Sequence, residues 1–349
     1  MTFPAFLQEK SDGMTKLKRI AVVGATGAVG EAMLSVLAER KFPAGEIIAL
    51  ASERSAGEKV ECGIAKLVVR DLATFDPKGL DIALFSAGGA ISKQYAPKFA
   101  AAGCVVIDNS STFRYDDDVP LVIAEVNPEA VAQRPRGIIA NPNCSTMQLL
   151  VALAPIHRTV GIRRIEVATY QSVSGAGRSA IEELAKQTAA LLTFEKVKPA
   201  RFPVQIAFNV IPHIDEFQDN GFTREEMKLI WETHKILGDP SIQVNPTCVR
   251  VPVFFGHAEA VHLELRAPLK AEAARKLLRA APGVKLVDTA KDRGYPTPVT
   301  HAAGDDAVFV GRVRNPPGEL GRLNLWVVSD NVRKGAALNA VQIAELLAG

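Results

Sequence analysis

"KRIAVVGATGAVGEAMLSVLAER", Lys18–Arg40, decides the fold. The apolar run Ile20–Val23 stops at a glycine. Glycines follow at Gly24, Gly27 and Gly30, and then an apolar pattern begins at helical spacing. Glycines at a strand-to-helix turn permit a tight turn, close approach of backbone to a pyrophosphate and close packing of helix on sheet. The helix end behind them offers free N–H groups and the positive end of a dipole. The spacing is GxxGxxG instead of GxGxxG. The setting, strand before and helix after, therefore carries the reading as a dinucleotide loop against that of a plain structural turn.

Working outward, "EIIALAS" (46–52), "AKLVVRDL" (65–72), "DIALFSAG" (81–88) and "CVVIDNSS" (104–111) are further apolar runs, with a helical "SKQYAPKFAAAG" (92–103) among them. Continuous apolar strands alternating with helices predict a parallel sheet covered on both faces, a doubly wound α/β domain. The second strand tests the dinucleotide. NAD-binding folds often end it in an acidic residue that holds the ribose 2′-hydroxyl. Here it ends at Ser52, with Arg54 and Ser55 following. A cation and two hydroxyls suit a 2′-phosphate, so the expected cofactor is NADP. Glu53 stands among them, either turned to solvent or accepting a ribose hydroxyl.

Beyond about residue 143 the strands change character. In "AVHLELR", Val261, Leu263 and Leu265 face one way, His262 and Glu264 the other. That alternation predicts a sheet with one face on a core and one able to meet a partner. The tail "RKGAALNAVQIAELL" (333–347) reads as an amphipathic helix returning to the first domain. The expected division is a loose extension at 1–16, a dinucleotide-binding domain of 17–143 plus 329–349, and an α+β catalytic and dimerisation domain of 144–328. Met14 is an alternative start.

A chain of 349 residues is long enough for two such cores. The net charge of +3 without a basic block argues against nucleic acid. No apolar run approaches the roughly 18 residues of a membrane span, and the N-terminus lacks the pattern of a signal peptide. Cys62, Cys104, Cys144 and Cys248 form no CxxC pair, so no metal site is expected. Free thiols point to a reducing, cytoplasmic setting.

One of these thiols stands apart. In "NPNCST" (141–146), Cys144 opens the apolar run "CSTMQLLVALAPI", with Pro142 just ahead and Asn143 able to cap a helix. A cysteine at a helix N-terminus sits in positive potential, which favours thiolate. The neighbouring N–H groups, with the Asn143 amide, suit an oxyanion forming on a carbonyl carbon attacked by sulfur. Cys62, Cys104 and Cys248 read as inert buried residues.

Downstream, the glycines of "YQSVSGAGRSAIEEL" (170–184) precede another helix. They read either as a helix-entry turn or as an approach to the nicotinamide end of the cofactor. Gln171 is an amide donor at a strand end, suited to orienting a carbonyl or carboxyl group. In "CVRVPVFFGHAEAV" (248–261), Arg250 lies inside an apolar strand. Either a buried carboxylate pairs with it, or it binds an anionic substrate bidentately. His257 follows a glycine at a turn, where an imidazole can act as acid or base. The remaining histidines, His157, His213, His234, His262 and His301, read as structural or surface groups.

These stretches, with "RSAG" (54–57), "SSTFRYDDDVPLVIAEVN" (110–127), "EEMK" (225–228) and "SDNVRKGAA" (329–337), closely resemble the aspartate-β-semialdehyde dehydrogenases. The match runs in order from about Lys18 to the C-terminus. Acetylglutamyl-phosphate reductases share "SGAGR", but their cysteine motif resembles NPGCY. Glyceraldehyde-phosphate dehydrogenases share the chemistry and the catalytic-domain type, with different surroundings for the cysteine.

The resemblance implies an NADP-dependent, phosphorylating aldehyde oxidoreductase of lysine, threonine and methionine biosynthesis. It would reduce aspartyl-4-phosphate reversibly to aspartate semialdehyde, releasing phosphate. It further implies Cys144 as nucleophile, His257 as acid/base, Gln171 orienting the substrate, Arg250 on its α-carboxylate and Glu225 on its α-ammonium. Arg114 and Lys228 would hold phosphate. Thr26, Gly27, Ala28, Val29, Arg54, Ser55, Ser174, Gly175 and Asn331 would contact NADP, beside Gly24 and Ser52 from the loop reading. A homodimer or homotetramer is expected. Glu225 and Lys228 sit three apart on a helical segment, so both can face one site. The rivals are an acyl-phosphate reductase for another substrate, such as acetylglutamyl phosphate, and a non-catalytic NADP-binding protein.

Overall fold

The computed structural model describes residues 18–349; the expected extension and Met14 lie outside the described residues. Six parallel strands form the first sheet, in the spatial order Arg70–Asp71, Ala44–Ala51, Lys18–Val23, Ile82–Phe85, Val105–Asp108, Ile138–Ala140. The chain order reverses between Lys18–Val23 and Ile82–Phe85. In a doubly wound sheet, that reversal opens the ligand crevice at the strands' carboxyl ends. One face packs the helix Ala28–Glu39 and the C-terminal helix Asn339–Ala348 against Ile20, Val22 and Leu84. The other buries Ala21, Val23, Phe85 and Phe99. Arg40 reaches Glu345 through two bonds of 2.7 Å, tying the tail helix to the first one.

"AKLVVRDL" behaves differently from the expected single strand. Ala65–Val68 pairs antiparallel with Lys59–Cys62 as a separate ribbon, and only Arg70–Asp71 joins the parallel sheet. The cause is local. Val60 and Cys62 alternate with exposed Lys59 and Glu61, and Gly63 turns the chain at φ 59°.

The second sheet is mixed, in the order Gln243–Arg250, Ile162–Gln171, His257–Leu265, Arg322–Ser329, Val308–Arg314, Val284–Leu286. Its inner face, with Ile165, Val261, Leu263 and Leu325, shares a core with the helix Cys144–Val160, which therefore joins the two sheets. On its outer face His262 and Tyr170 are exposed. Among the described residues no helix is long and apolar enough to cross a membrane.

One carboxylic acid is trapped in that inner face. Glu259 is 0 % exposed, and neither of its oxygens has a hydrogen-bond partner. Gln148 lies beside it and pulls its acidity slightly the other way, but closes no bond of good geometry. Burial pushes the acid well above the ordinary glutamate value of 4.5. A raised folded-state value contributes stability that is full below the unfolded value and lost as pH rises. The neutral variant Glu259→Gln lacks that loss. Wild type and variant should differ least near the unfolded value. Above it, the variant should gain roughly 1.4 kcal/mol per pH unit until the folded acid ionises. Urea unfolding at acid and alkaline pH checks this, and a difference independent of pH would refute the neutral-acid assignment.

Candidate active site

Gly24 takes φ +87°, and a Cβ there would lie 2.9 Å from the Ala87 nitrogen. A Cβ on Gly30 would lie 2.1 Å from the Gly24 carbonyl oxygen. Both positions therefore demand glycine, one for the turn and one for helix-on-sheet packing. Gly27 is the N-cap of Ala28–Glu39, and no side chain caps that helix end. Ser52, Arg54 and Ser55 follow the neighbouring strand end, with Arg54 exposed. Thr26, Ala28 and Val29 sit on the same turn, and Val29 lines the main cavity. These residues fit a dinucleotide bearing a 2′-phosphate: bare N–H groups for the pyrophosphate and a cation at the second strand end.

The cavity, of about 850 Å³, lies between the two sheets. Asn109, Arg114, Cys144, Gln171, Ser174, Gly175, Glu225, Lys228, Arg250 and Asn331 all line it. Residues from both halves of the chain thus meet there.

Cys144 is the first residue of the helix Cys144–Val160. Asn143 caps that helix, its Oδ1 accepting the N–H groups of Ser145 at 3.0 Å and Thr146 at 3.3 Å. Cys144 is half-buried, with one side open to the cavity. Burial, then Glu225, push the thiol up to about 12 against the pull of Arg250, Arg114 and Lys228. Burial also raises Cys62, Cys104 and Cys248, all free and closed off. Gly335, on the returning C-terminal segment, packs so tightly on the nucleophile that a Cβ there would lie 2.7 Å from the Cys144 Cβ.

Glu225 is the hub of the polar wall. Its Oε1 accepts the amides of Asn143 and Gln171, each at 3.0 Å, and its Oε2 accepts Lys228 at 2.9 Å. Burial favours the neutral acid, but Lys228 and the two amides outweigh it and hold the carboxyl at about 2. The capping box of Thr223 and Glu226 starts this helix and aims Glu225 and Lys228 inward. Gln171 is fixed from its other end, where its Oε1 accepts Thr169 Oγ1 at 3.0 Å.

The cations differ in how they are neutralised. Lys228 also reaches Asp215 at 2.8 Å. Arg114 pairs with Glu232 at 2.9 Å and donates to the carbonyls of Ser110 and Asn109. Of the five N–H groups of a guanidinium, these three bonds leave two. Arg250 is 6 % exposed, and its one recorded hydrogen bond runs from Nη1 to the Ser172 carbonyl at 2.7 Å. No carboxylate pairs with it among the described residues, and an unpaired buried guanidinium is costly.

His257 is wholly buried, behind Gly175; burial and Arg250 pull it down to about 3. Ser174 and Asn331, expected at the cofactor, bond each other at 3.0 Å. Asn331 Oδ1 also accepts the N–H of Gly256 at 3.0 Å. Sequence reasoning passed over Glu232, Asp215, Ser172 and His213, which stacks on Phe217 at the cavity rim. Glu232, Asp215 and Ser172 each touch a residue distant in the chain, for which no local pattern is a signal. Among the described residues no group of side chains could hold a metal ion.

Two family models match this architecture: the semialdehyde dehydrogenase NAD binding domain over residues 19–134, and the semialdehyde dehydrogenase dimerisation domain over residues 153–334. The aspartate-semialdehyde dehydrogenase of Legionella pneumophila is 58 % identical over 337 residues, 96 % of each chain. Aspartate-semialdehyde dehydrogenase 2 of Vibrio cholerae is 59 % identical over 335 residues, 96 % of this chain and 98 % of its own. The crystal structure of aspartate semialdehyde dehydrogenase II from Vibrio cholerae complexed with ASA superposes with a TM-score of 0.93 at 58 % identity, covering 95 % of this chain and 98 % of that one. The Candida albicans enzyme, solved with NADP, superposes with a TM-score of 0.73 at 25 % identity over the same shares. With its glycine loop, its capped cysteine and its unpaired arginine in one cavity, the chain belongs to the aspartate-semialdehyde dehydrogenase family.

Proposed function

We propose that this chain reduces L-aspartyl-4-phosphate to L-aspartate 4-semialdehyde, reversibly and with release of phosphate, as a step toward lysine, threonine and methionine. The observation that carries the reading is the cavity in which Cys144, Glu225 and Arg250 converge. A zwitterionic amino acid needs one group of each sign. Glu225 and Arg250 supply them, and Gln171 orients the acyl group. Cys144 attacks the acyl carbon, and phosphate leaves against the spare N–H groups of Arg114 and against Lys228. In that attack the thiol proton passes to the departing phosphate. The second N–H of the Asn143 amide, whose first goes to Glu225, would meet the oxygen that gains charge. Bound NADPH supplies hydride to the resulting thioester. Gly24, Thr26, Gly27, Ala28 and Val29 would hold its pyrophosphate, with Ser52, Arg54 and Ser55 around the 2′-phosphate. Ser174, Gly175 and Asn331 lie toward the nicotinamide end.

We further propose a cytoplasmic homodimer, or a tetramer of two such pairs, assembled through the outer face of the second sheet. Tyr170 on that face is 38 % exposed, and Leu192 and Phe194, at the end of the helix Arg178–Leu192 and just after it, are 68 % and 98 % exposed. Chromatography with light scattering should return a species of at least twice the monomer mass.

The direct test is NADP reduction by purified protein given aspartate semialdehyde. The rate should require phosphate or its analogue arsenate, and NADP should be preferred to NAD. Arg54→Ala should erode that preference by about 10-fold or more, as loss of a charged hydrogen bond predicts. Reduction without phosphate, or equal use of both cofactors, would overturn the assignment. Gly335→Ala should lower kcat about 10- to 100-fold with the fold retained, because its methyl group displaces Cys144. Steady-state kinetics and circular dichroism check this together; an unchanged kcat would mean the segment yields.

A further inference from the structure

The helix Arg224–Leu237 carries four charges at spacings of three, four and three: Glu225, Lys228, Glu232 and Lys235. That spacing sets them along one face. Glu225 and Lys228 line the cavity; Glu232 and Lys235 continue the stripe beyond it. Glu232 has no exposed surface. Its Oε1 accepts Arg114 Nη1 at 2.9 Å and the Tyr115 hydroxyl at 3.4 Å, and its Oε2 accepts the backbone N–H of Asn143 at 2.7 Å. Lys235 donates to the carbonyls of Arg114, Asp116 and Val119 at 2.9, 2.7 and 2.9 Å, which uses all three N–H groups of its ammonium.

Arg114 is thereby fixed at both ends. Lys235 holds its carbonyl, while its guanidinium gives Nη1 to Glu232, Nε to the Ser110 carbonyl and Nη2 to the Asn109 carbonyl. One N–H stays spare on each terminal nitrogen, a pair of donors suited to an oxyanion. The same carboxylate grips Asn143, the cap of the helix that Cys144 opens. Among the described residues, Glu232 is the one side chain that bonds both Arg114 and Asn143. Both of these partners are donors, so the group between them must accept on each arm. A carboxylate does so, whereas an amide would turn its own N–H groups against one of them.

We propose that Glu232 and Lys235 are positioning residues for the phosphate step. Glu232 joins Arg114 to the cap of the nucleophile's helix, Lys235 pins the loop that carries Arg114, and together they set where phosphate stands relative to Cys144. This rests on the acyl-phosphate reading above. In the phosphorylating direction a phosphate oxygen attacks the thioester carbon. The new C–O bond forms, the C–S bond breaks, and the phosphate proton passes to the departing sulfur. That attack needs oxygen and carbon held close and aligned. An arginine free to swing would still attract phosphate, but would hold it at many distances from the carbon. Hydride transfer comes before phosphate attacks and does not use this alignment.

The test is phosphate-dependent NADP reduction by the intact enzyme with aspartate semialdehyde, varying each substrate in turn. Glu232→Gln should lower kcat/KM for phosphate about 10-fold or more, as for a lost charge-assisted hydrogen bond. Over the same variant, kcat/KM for aspartate semialdehyde, which covers the steps before phosphate attacks, should stay within about three-fold. A merely structural defect would lower both alike. Lys235→Met removes the three carbonyl contacts without touching Asn143, and should show the same split at about three-fold or more. On an Arg114→Ala background, Glu232→Gln should change kcat/KM for phosphate by less than about two-fold, since the partner it positions is gone. Equal losses in the two ratios, or full additivity with Arg114→Ala, would overturn the proposal. If Glu232→Gln fails to fold by circular dichroism, Lys235→Met decides. A wild-type enzyme whose NADP reduction ignores phosphate would sink the acyl-phosphate reading; phosphate saturation with unsplit variants would sink the positioning role alone.

Discussion

Cys144→Ala should abolish phosphate-dependent reduction of NADP by aspartate semialdehyde, lowering kcat by about 10⁴-fold or more, as expected when a covalent nucleophile is removed. The expectation comes from position and company. Cys144 begins a helix capped by Asn143, one side of its surface opens on the cavity, and Arg250, Arg114 and Lys228 all pull its thiol toward ionisation. The three other cysteines are buried and have no such neighbours, so none can substitute. The variant should still bind NADP with unchanged affinity, because the glycine loop lies on a different element. Binding without turnover would separate a lost nucleophile from a lost fold. A quenched reaction of wild-type protein should further yield an acyl adduct on this side chain, found by mass spectrometry. Activity within a few-fold of wild type, or an adduct on another cysteine, would refute the role.

The sequence disclosed those parts of the site that depend on neighbours along the chain. The glycine loop is written within seven residues, and its demand for glycine at Gly24 and Gly30 follows from contacts within and beside the turn. Asn143 as a cap and the pairing of Glu225 with Lys228 are likewise local: one is a helix boundary, the other a spacing of three. What remained hidden depends on burial and on distant partners. The helix N-terminus at Cys144 favours a thiolate, yet burial and Glu225, 81 positions away in the chain, push the thiol the other way. The resemblance implied Arg114 as a phosphate ligand. Its partner Glu232 lies 118 residues away, on a helix whose sequence shows only an amphipathic pattern. Nothing in the strand's pattern marked Glu259 as a trapped acid; it shares the face of Val261 and Leu263 and sits opposite the buried Thr169. The ribbon at Lys59–Val68 was missed because one apolar run hid a change of sheet.

Arg250→Lys should lower kcat/KM for aspartate semialdehyde by about 10²-fold or more, chiefly through KM, since a point charge cannot replace a two-pronged donor on a carboxylate. The reasoning starts from cost. Burial of a guanidinium without a carboxylate is unfavourable, and burial does lower the Arg250 value from that of an ordinary arginine. The neighbouring cations show the alternative: Arg114 has Glu232, and Lys228 has Glu225 and Asp215. Arg250 holds only the Ser172 carbonyl through Nη1, and the rest of its fork lines the cavity. A group kept in that state is relieved when an anion arrives, so its energy is realised in binding. Two consequences follow for the variant. Small aldehydes lacking an α-carboxylate, which never used the fork, should react equally with both proteins. The folded variant should also be no less stable than wild type, because the shorter cation withdraws from an unpaired site. A lysine variant with unchanged KM would return Arg250 to a structural role, holding Ser172 through the carbonyl and nothing more.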